Sequence, residues 1–146
     1  ELVEFPIVED RFVGSNSGCI YGLQATSIGG PLHEFKTPQA GVLLNGVIKF
    51  STHEDSIGEV IGRYELEPGW HFCSEPTVVT KTSLKGHYVL LYATFVPEKG
   101  SRFVKKYDEM ARDGSSLRSR LVVLDGDDIS SGPVSIIDLP YHMNYG

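Results

Sequence analysis

Short apolar runs separated by turn-forming residues recur along the 146-residue chain. Near its end, Leu121–Leu124 and Val134–Leu139 are two such runs, and the segment between them is rich in Asp, Ser, Gly and Pro. Runs of this length with β-branched residues are typical of strands, whereas the intervening residues favour turns. The pattern predicts a hairpin whose second strand ends before Pro140, because proline cannot donate a ladder hydrogen bond.

The same pattern predicts eight or nine strands in the whole chain. Pro6 predicts the end of the first strand, and Asn45-Gly46 is the usual signal of a type I′ hairpin turn. Residues 26–41 hold Gly and Pro without periodicity, which predicts a loop. Ser101 and Gly114 bound the one segment that favours a short helix. The other predicted strands include Cys19–Ala25, Glu59–Leu66, Thr77–Thr80 and His87–Val96.

These elements predict an all-β class of antiparallel strands, and the pattern alone leaves sandwich, barrel and propeller open. A four-stranded propeller blade takes about 40 to 50 residues, so residues 1–146 would form one domain portion of about two to three blades. No internal repeat of that period is apparent.

The composition of the chain limits the binding partners and the cellular location that we expect. The chain is 40% hydrophobic and carries a net charge of −6, which suits a folded domain and argues against a nucleic-acid partner. Cys19 and Cys73 are predicted to be buried free thiols rather than a disulfide. No apolar run approaches the roughly 18 residues of a membrane span. The acidic start, with neither initiator Met nor signal peptide, leads us to expect an internal piece of a longer cytoplasmic protein, with membrane association left open.

Several short motifs occur in an order that resembles a known family. They are Glu4-Phe5-Pro6, Tyr21-Gly22, Ser74-Glu75-Pro76, Lys85-Gly86 and, in the tail, Leu121–Asp125, Asp128–Ser130, Gly132–Val134, Leu139-Pro140 and Tyr145-Gly146. In this order they resemble the carotenoid cleavage oxygenases, which include lignostilbene and stilbene dioxygenases and the retinal pigment epithelial membrane protein family. Each motif alone is weak, but the set extends across nearly the whole chain.

The resemblance implies a seven-bladed β-propeller in which four histidines bind Fe(II). It implies that the enzyme cleaves a C=C bond of carotenoids, apocarotenoids or stilbenes with O₂, with possible peripheral membrane contact. By the family pattern, Glu4 and Glu75 accept hydrogen bonds from iron-ligating imidazoles, which fixes the tautomer and orientation of each ligand. None of the chain's histidines matches a ligand position, so the metal ligands are expected outside it, one of them just beyond Gly146. We therefore expect the chain alone to be inactive, to bind iron poorly and to aggregate.

The last predictions from the sequence concern three histidines and two rival functions. His87 is predicted to be partly exposed, His71 to lie near the Glu75 loop without ligating, and His142 to lie at a strand end or loop. One rival is a non-catalytic β-propeller or β-sandwich binding module, which predicts that Glu4 and Glu75 are far apart and solvated. The enzyme predicts that both point to a common axis and are buried. The other rival is a calcium-dependent propeller hydrolase, which needs converging Asp or Asn residues, and residues 125–128 are the one such cluster.

Overall fold

The computed structural model describes residues 3–7, 18–24, 44–82, 85–95, 118–141 and 143, and in these the chain is all-β. A first antiparallel sheet has the strand order β1-β2-β3-β4. Its strands are Val3–Ile7, Cys19–Gln24, Gly46–Ser51 and Val60–Glu65, and a short 3-10 turn at Glu54–Ser56 precedes the fourth.

The second antiparallel sheet has five strands. Its order is β5-β7-β8-β9, and β6 also pairs with β7. The strands are Trp70–Phe72 (β5), Thr77–Thr80 (β6), His87–Phe95 (β7), Ser119–Asp125 (β8) and Pro133–Leu139 (β9). The hairpin predicted for the tail is confirmed, because β8 and β9 pair in antiparallel fashion and β9 ends at Leu139. A 3-10 turn at Ile129–Ser131 lies in the connection between them.

A single hydrophobic core lies between the two sheets. Strand β7 shows the pattern that produces this core, because Val89, Leu91 and Ala93 are fully buried while the residues between and before them are partly exposed. This period of two places one face of the strand against the other sheet. The buried core residues are Tyr21, Leu23, Leu44, Val47, Leu66, Trp70, Phe72, Val89, Leu91, Ala93, Val122, Leu124 and Ile129.

Two local predictions were wrong. Asn45-Gly46 forms no hairpin turn: Gly46 begins β3, opposite Gln24 and Glu65, and it is absent from the glycines with positive φ that a type I′ turn requires. Pro6 does not end β1, which continues to Ile7. Proline is tolerated there because β1 pairs with β2 alone among the described strands and its register shifts between Glu4 and Ile7.

Other predictions lie outside the described residues, namely the loop at 26–41, the helix between Ser101 and Gly114, His33 and His142. Cys19 and Cys73 are free thiols, as predicted, although both are half-buried rather than buried. The part of the chain that the structure describes contains no helix long and apolar enough to cross a membrane.

Candidate functional site: the first strands of the two sheets

The two glutamate motifs occupy corresponding places in the two sheets, on the first strand of each. The backbone of Glu4 lies on β1, opposite Leu23, at the start of a register shift. Glu75 lies between β5 and β6, which both pair with β7 and together form the interrupted first strand of the second sheet. Each motif therefore stands at an irregularity in an edge strand, where side chains and backbone are redirected from the regular ladder.

Local hydrogen bonds hold the interruption that carries Glu75. The Cys73 amide donates to the Tyr92 carbonyl at 2.9 Å, and the Tyr92 amide donates to Ser74 Oγ at 3.0 Å. The serine side chain thus takes the place of a missing backbone acceptor on the first strand. Pro76 is buried, whereas the Glu75 side chain is exposed in this chain. The Glu4 side chain lies outside the described part of the structure.

A backbone bridge connects β2, beside the beginning of β1, with the first strand of the second sheet. Val3, the first residue of β1, is opposite Gln24, whose carbonyl accepts a hydrogen bond of 3.1 Å from the Asn45 amide. The carbonyl of Leu44, the residue before Asn45, accepts a hydrogen bond of 2.7 Å from the Phe72 amide. Leu44 and Phe72 also form an antiparallel bridge outside the main ladders. The segment of Leu44 and Asn45 therefore ties β2 of the first sheet to the first strand of the second.

A polar cluster, called here the clasp, joins the sheets at a second place. The clasp consists of Tyr21 on β2, Lys49 on β3, His87 on β7 and the carbonyl of Gly126 after β8. The Tyr21 hydroxyl donates to the Gly126 carbonyl at 2.7 Å and lies 2.6 Å from His87 Nε2. Because the hydroxyl proton is used on Gly126, the His87 ring donates to the tyrosine oxygen. Lys49 Nζ donates to the same carbonyl at 2.7 Å.

The clasp is buried, and burial changes its acid–base behaviour. Tyr21 is 1% exposed and His87 is 7% exposed. Burial is the main cause of the raised pKa of Tyr21, and Cys19, Asp127 and Asp125 raise it further. The tyrosine therefore stays protonated and keeps its bond to Gly126. The prediction that His87 is partly exposed was wrong. A residue following a Lys-Gly turn is ordinarily at the surface, but here the side chain points into the space between the sheets.

An ion pair stabilises the turn that supplies Gly126. Lys81 Nζ lies 2.9 Å from both carboxylate oxygens of Asp125. The lysine hydrogen bond, together with a bond from the Asp127 amide, lowers the pKa of Asp125, and the same carboxylate raises the pKa of Lys81. The acidic residues of this turn are used to hold its geometry, which accounts for the Asp cluster without a bound calcium ion.

His71 lies on β5, close in sequence to the Glu75 interruption. It is 7% exposed, its Nδ1 atom has no hydrogen-bond partner, and burial lowers its pKa to about 4. The ring is therefore neutral at physiological pH. Its neighbours across the sheet are Thr94 on β7 and then Ser119 on β8. Within the described residues, no three His, Cys, Asp or Glu side chains come together as a metal site.

Comparisons with known proteins point in one direction. The model of the retinal pigment epithelial membrane protein family matches residues 1–146. Among solved structures, the lignostilbene dioxygenase of Pseudomonas brassicacearum superposes with a TM-score of 0.61 at 20% sequence identity. That match covers 99% of this chain and 26% of the dioxygenase, so the chain spans about a quarter of that protein. A search of curated proteins finds no significant match.

At 20% identity the structural match establishes the fold, and the family match establishes the relationship, because it extends over every residue of the chain. The order of the sequence motifs agrees with it. The chain belongs to the retinal pigment epithelial membrane protein family, the family of the carotenoid cleavage oxygenases that its sequence resembles.

Proposed function

We propose that this chain is part of a non-haem Fe(II) dioxygenase that cleaves a C=C bond of a carotenoid, apocarotenoid or stilbene with O₂. In this proposal the two sheets are blades of a seven-bladed propeller, and the histidine ligands come from residues outside the chain. Bound Fe(II) would supply the site at which O₂ is activated. Peripheral contact with a membrane, from which an apolar polyene could be taken, belongs to the same proposal.

The observation that supports the proposal most is the placement of the two glutamate motifs. Both lie on the first strand of their sheet, both at an irregularity, and the Leu44–Asn45 bridge joins β2, which pairs with β1, to β5. First strands of successive blades surround the axis of a propeller. Carboxylates at corresponding places on two such strands would therefore approach the same axial site from neighbouring directions.

The proposed role of Glu4 and Glu75 follows from the needs of an imidazole ligand. A histidine that binds iron through one ring nitrogen donates the N–H of the other to an acceptor. A carboxylate in that place fixes the ring's tautomer and orientation and increases its basicity as a ligand. Four neutral imidazoles leave the charge of Fe(II) uncompensated, so the negative charge of these carboxylates also stabilises the metal.

The exposure of Glu75 favours one alternative, a non-catalytic binding module in which this carboxylate is solvated. In the enzyme, segments outside this chain would cover Glu75 and bring an imidazole to it. The two functions therefore differ in what the glutamates do in the longer protein that contains this chain.

Substitution of the glutamates in that longer protein tests the proposal. We expect Glu4→Gln and Glu75→Gln each to weaken Fe(II) binding by about 10- to 100-fold, because glutamine is a weaker acceptor and carries no charge. The measurement is a chelator-competition titration, together with the rate of cleavage of a stilbene or an apocarotenoid. Glu59→Gln is the matched control, since Glu59 is exposed and lies before β4, away from the first strands. A wild-type protein that binds no iron would instead support the binding module.

A further inference from the structure

The clasp of Tyr21, Lys49, His87 and Gly126 joins the two sheets near the ends of their first strands. Tyr21 is directly opposite Ile7, the last residue of β1. His87 is directly opposite Thr80, the last residue of β6. The Leu44–Asn45 bridge, in contrast, contacts Gln24 on β2, which is opposite Val3 at the start of β1, and Phe72, the last residue of β5. The clasp and the bridge therefore flank the segments that carry the two glutamates.

Directional attachments fix the angle between the two sheets. Two sheets joined by an apolar core alone can rotate against each other, because apolar contacts are not directional. Hydrogen bonds are directional, and a buried bond opposes rotation because breaking it leaves polar groups without partners. The contacts of Ile129 and Ser130 with Gly62 and Arg63 also join the two sheets. They do so at the fourth strand, β4, which is farther from the first strands.

The clasp also has little room to adjust. A Cβ atom at Gly126 would lie 2.3 Å from the His87 ring, so the turn and the ring are already in close contact. The Tyr21 and His87 rings meet edge to face, with centroids 5.6 Å apart. The tyrosine hydroxyl is hydrogen-bonded to both His87 and Gly126, and neither ring can move toward the turn without displacing the turn. The clasp is thus a rigid connection between the sheets.

We propose that Tyr21 is a positioning residue: through the clasp it sets the angle between the first strands of the two sheets and so holds Glu4 and Glu75 in register with each other. This inference rests on the proposed function for its consequence, the orientation of the iron-ligating imidazoles. It assigns Tyr21 no contact with substrate or metal. Its effect is transmitted by the backbone pairs Tyr21–Ile7 and His87–Thr80.

Tyr21→Phe tests the proposal in the longer protein that contains this chain, because it removes one oxygen atom and keeps the buried ring. We expect Fe(II) affinity to fall by about tenfold, the lower end of the effect of losing a carboxylate partner. The angle between the sheets is measured without iron, by pulsed dipolar EPR between labelled noncanonical residues at positions 59 and 77. Both positions are exposed, and this labelling leaves the two cysteines intact. We expect the distance distribution to broaden.

Three further variants separate positioning from a general loss of stability. Tyr64→Phe makes the same chemical change at a half-buried tyrosine that packs against the same core and is not part of the clasp. It is expected to leave both iron affinity and the distance distribution unchanged. His87→Gln retains an N–H donor near the position of Nε2 and is expected to preserve both properties, whereas His87→Leu is expected to behave like Tyr21→Phe.

The outcomes distinguish this inference from the proposed function. An unchanged distance distribution in Tyr21→Phe overturns the clasp's role, whether or not the protein binds iron. A broadened distribution with wild-type iron affinity also overturns it, because the angle would then not matter to the site. A wild-type protein that binds no iron overturns the proposed function and, with it, the role of the clasp in orienting ligands.

Discussion

His71 is a buried imidazole without a partner at Nδ1, and its environment predicts a specific pH dependence. Burial lowers its pKa from 6.5 to about 4. Between these values the unfolded chain takes up a proton that the folded chain does not. The stability associated with neutral His71 is therefore complete above about pH 6.5 and is lost progressively as the pH falls toward 4, by up to about 3 kcal/mol.

The His71→Gln variant isolates this effect from the titration of carboxylates. Urea unfolding of wild type and variant between pH 7 and pH 4 should show that the wild type loses more stability on acidification than His71→Gln does. His53→Gln is the control, because it makes the same change at an exposed histidine. If the unfolding free energies of wild type and His71→Gln fall in parallel as the pH is lowered, the His71 ring has a hydrogen-bond partner in solution.

The histidines also show what sequence can and cannot establish for single residues. That none forms a ligand set is a prediction from their spacing. The burial of His87 could not be predicted, because its partner Tyr21 lies on another sheet and local pattern carries no information on contacts so distant in sequence. The signal that could have suggested it is the alternation of β7, in which His87 shares a face with Val89 and Leu91.

The turn after β8 is the element in which close packing has the clearest consequence. Gly126 has no positive φ, so the requirement for glycine comes from space alone: an added Cβ would lie 2.3 Å from the His87 ring and 2.9 Å from its carbonyl oxygen. We expect Gly126→Ala to destabilise the protein by about 3 kcal/mol, at the upper end of ordinary overpacking, measured by urea unfolding.

Gly58→Ala is the control for this substitution. Gly58 has a φ of +80° and nothing within 4 Å of an added Cβ, so alanine there would cost backbone strain alone, about 1 kcal/mol. A Gly126→Ala variant no less stable than Gly58→Ala would mean that the turn relaxes and that the contact with His87 is not tight.

Strands were predicted better than the points at which the chain changes direction. The predicted runs at Thr77–Thr80 and Leu121–Leu124 lie on strands, as does the run that begins at His87 through to Phe95, because a short apolar, β-branched run is a local signal. The hairpin turn predicted at Asn45-Gly46 was wrong because the same two residues can form a turn or part of an extended bridge between sheets. Their neighbour Leu44 pairs with Phe72, and this tertiary contact overrides the local turn preference. The strand end predicted at Pro6 was wrong for a related reason, since proline is tolerated in an irregular edge strand and not in a central strand.

At the scale of the whole molecule, fold class and family were predictable and the relation between the two sheets was not. Strand count and turn spacing left sandwich, barrel and propeller equally open. The ordered motifs, rather than the hydrophobic pattern, identified the family that the match over residues 1–146 confirms. The shared core and the clasp depend on which faces meet, and a periodic pattern shows that a strand has a buried face without showing its partner.

The shared core predicts that the two sheets unfold together. Val47, in the first sheet, is fully buried in the same cluster as Trp70, the single tryptophan, in the second sheet. Val47→Ala should therefore destabilise both sheets by about 2 kcal/mol, through lost apolar contact and a residual cavity. Tryptophan fluorescence and far-UV circular dichroism should shift by the same amount, because a cooperative unit has coincident transitions for different probes.

Val79→Ala is the matched control for Val47→Ala, since Val79 lies on β6 and is 42% exposed, and its truncation should change stability by less than about 0.5 kcal/mol. If Val47→Ala shifts the circular dichroism transition and leaves the Trp70 fluorescence transition in place, the sheets unfold separately. The core and the clasp would then be too weak to make the two sheets one structural unit. Coincident shifts would instead mean that the two sheets unfold as one cooperative unit.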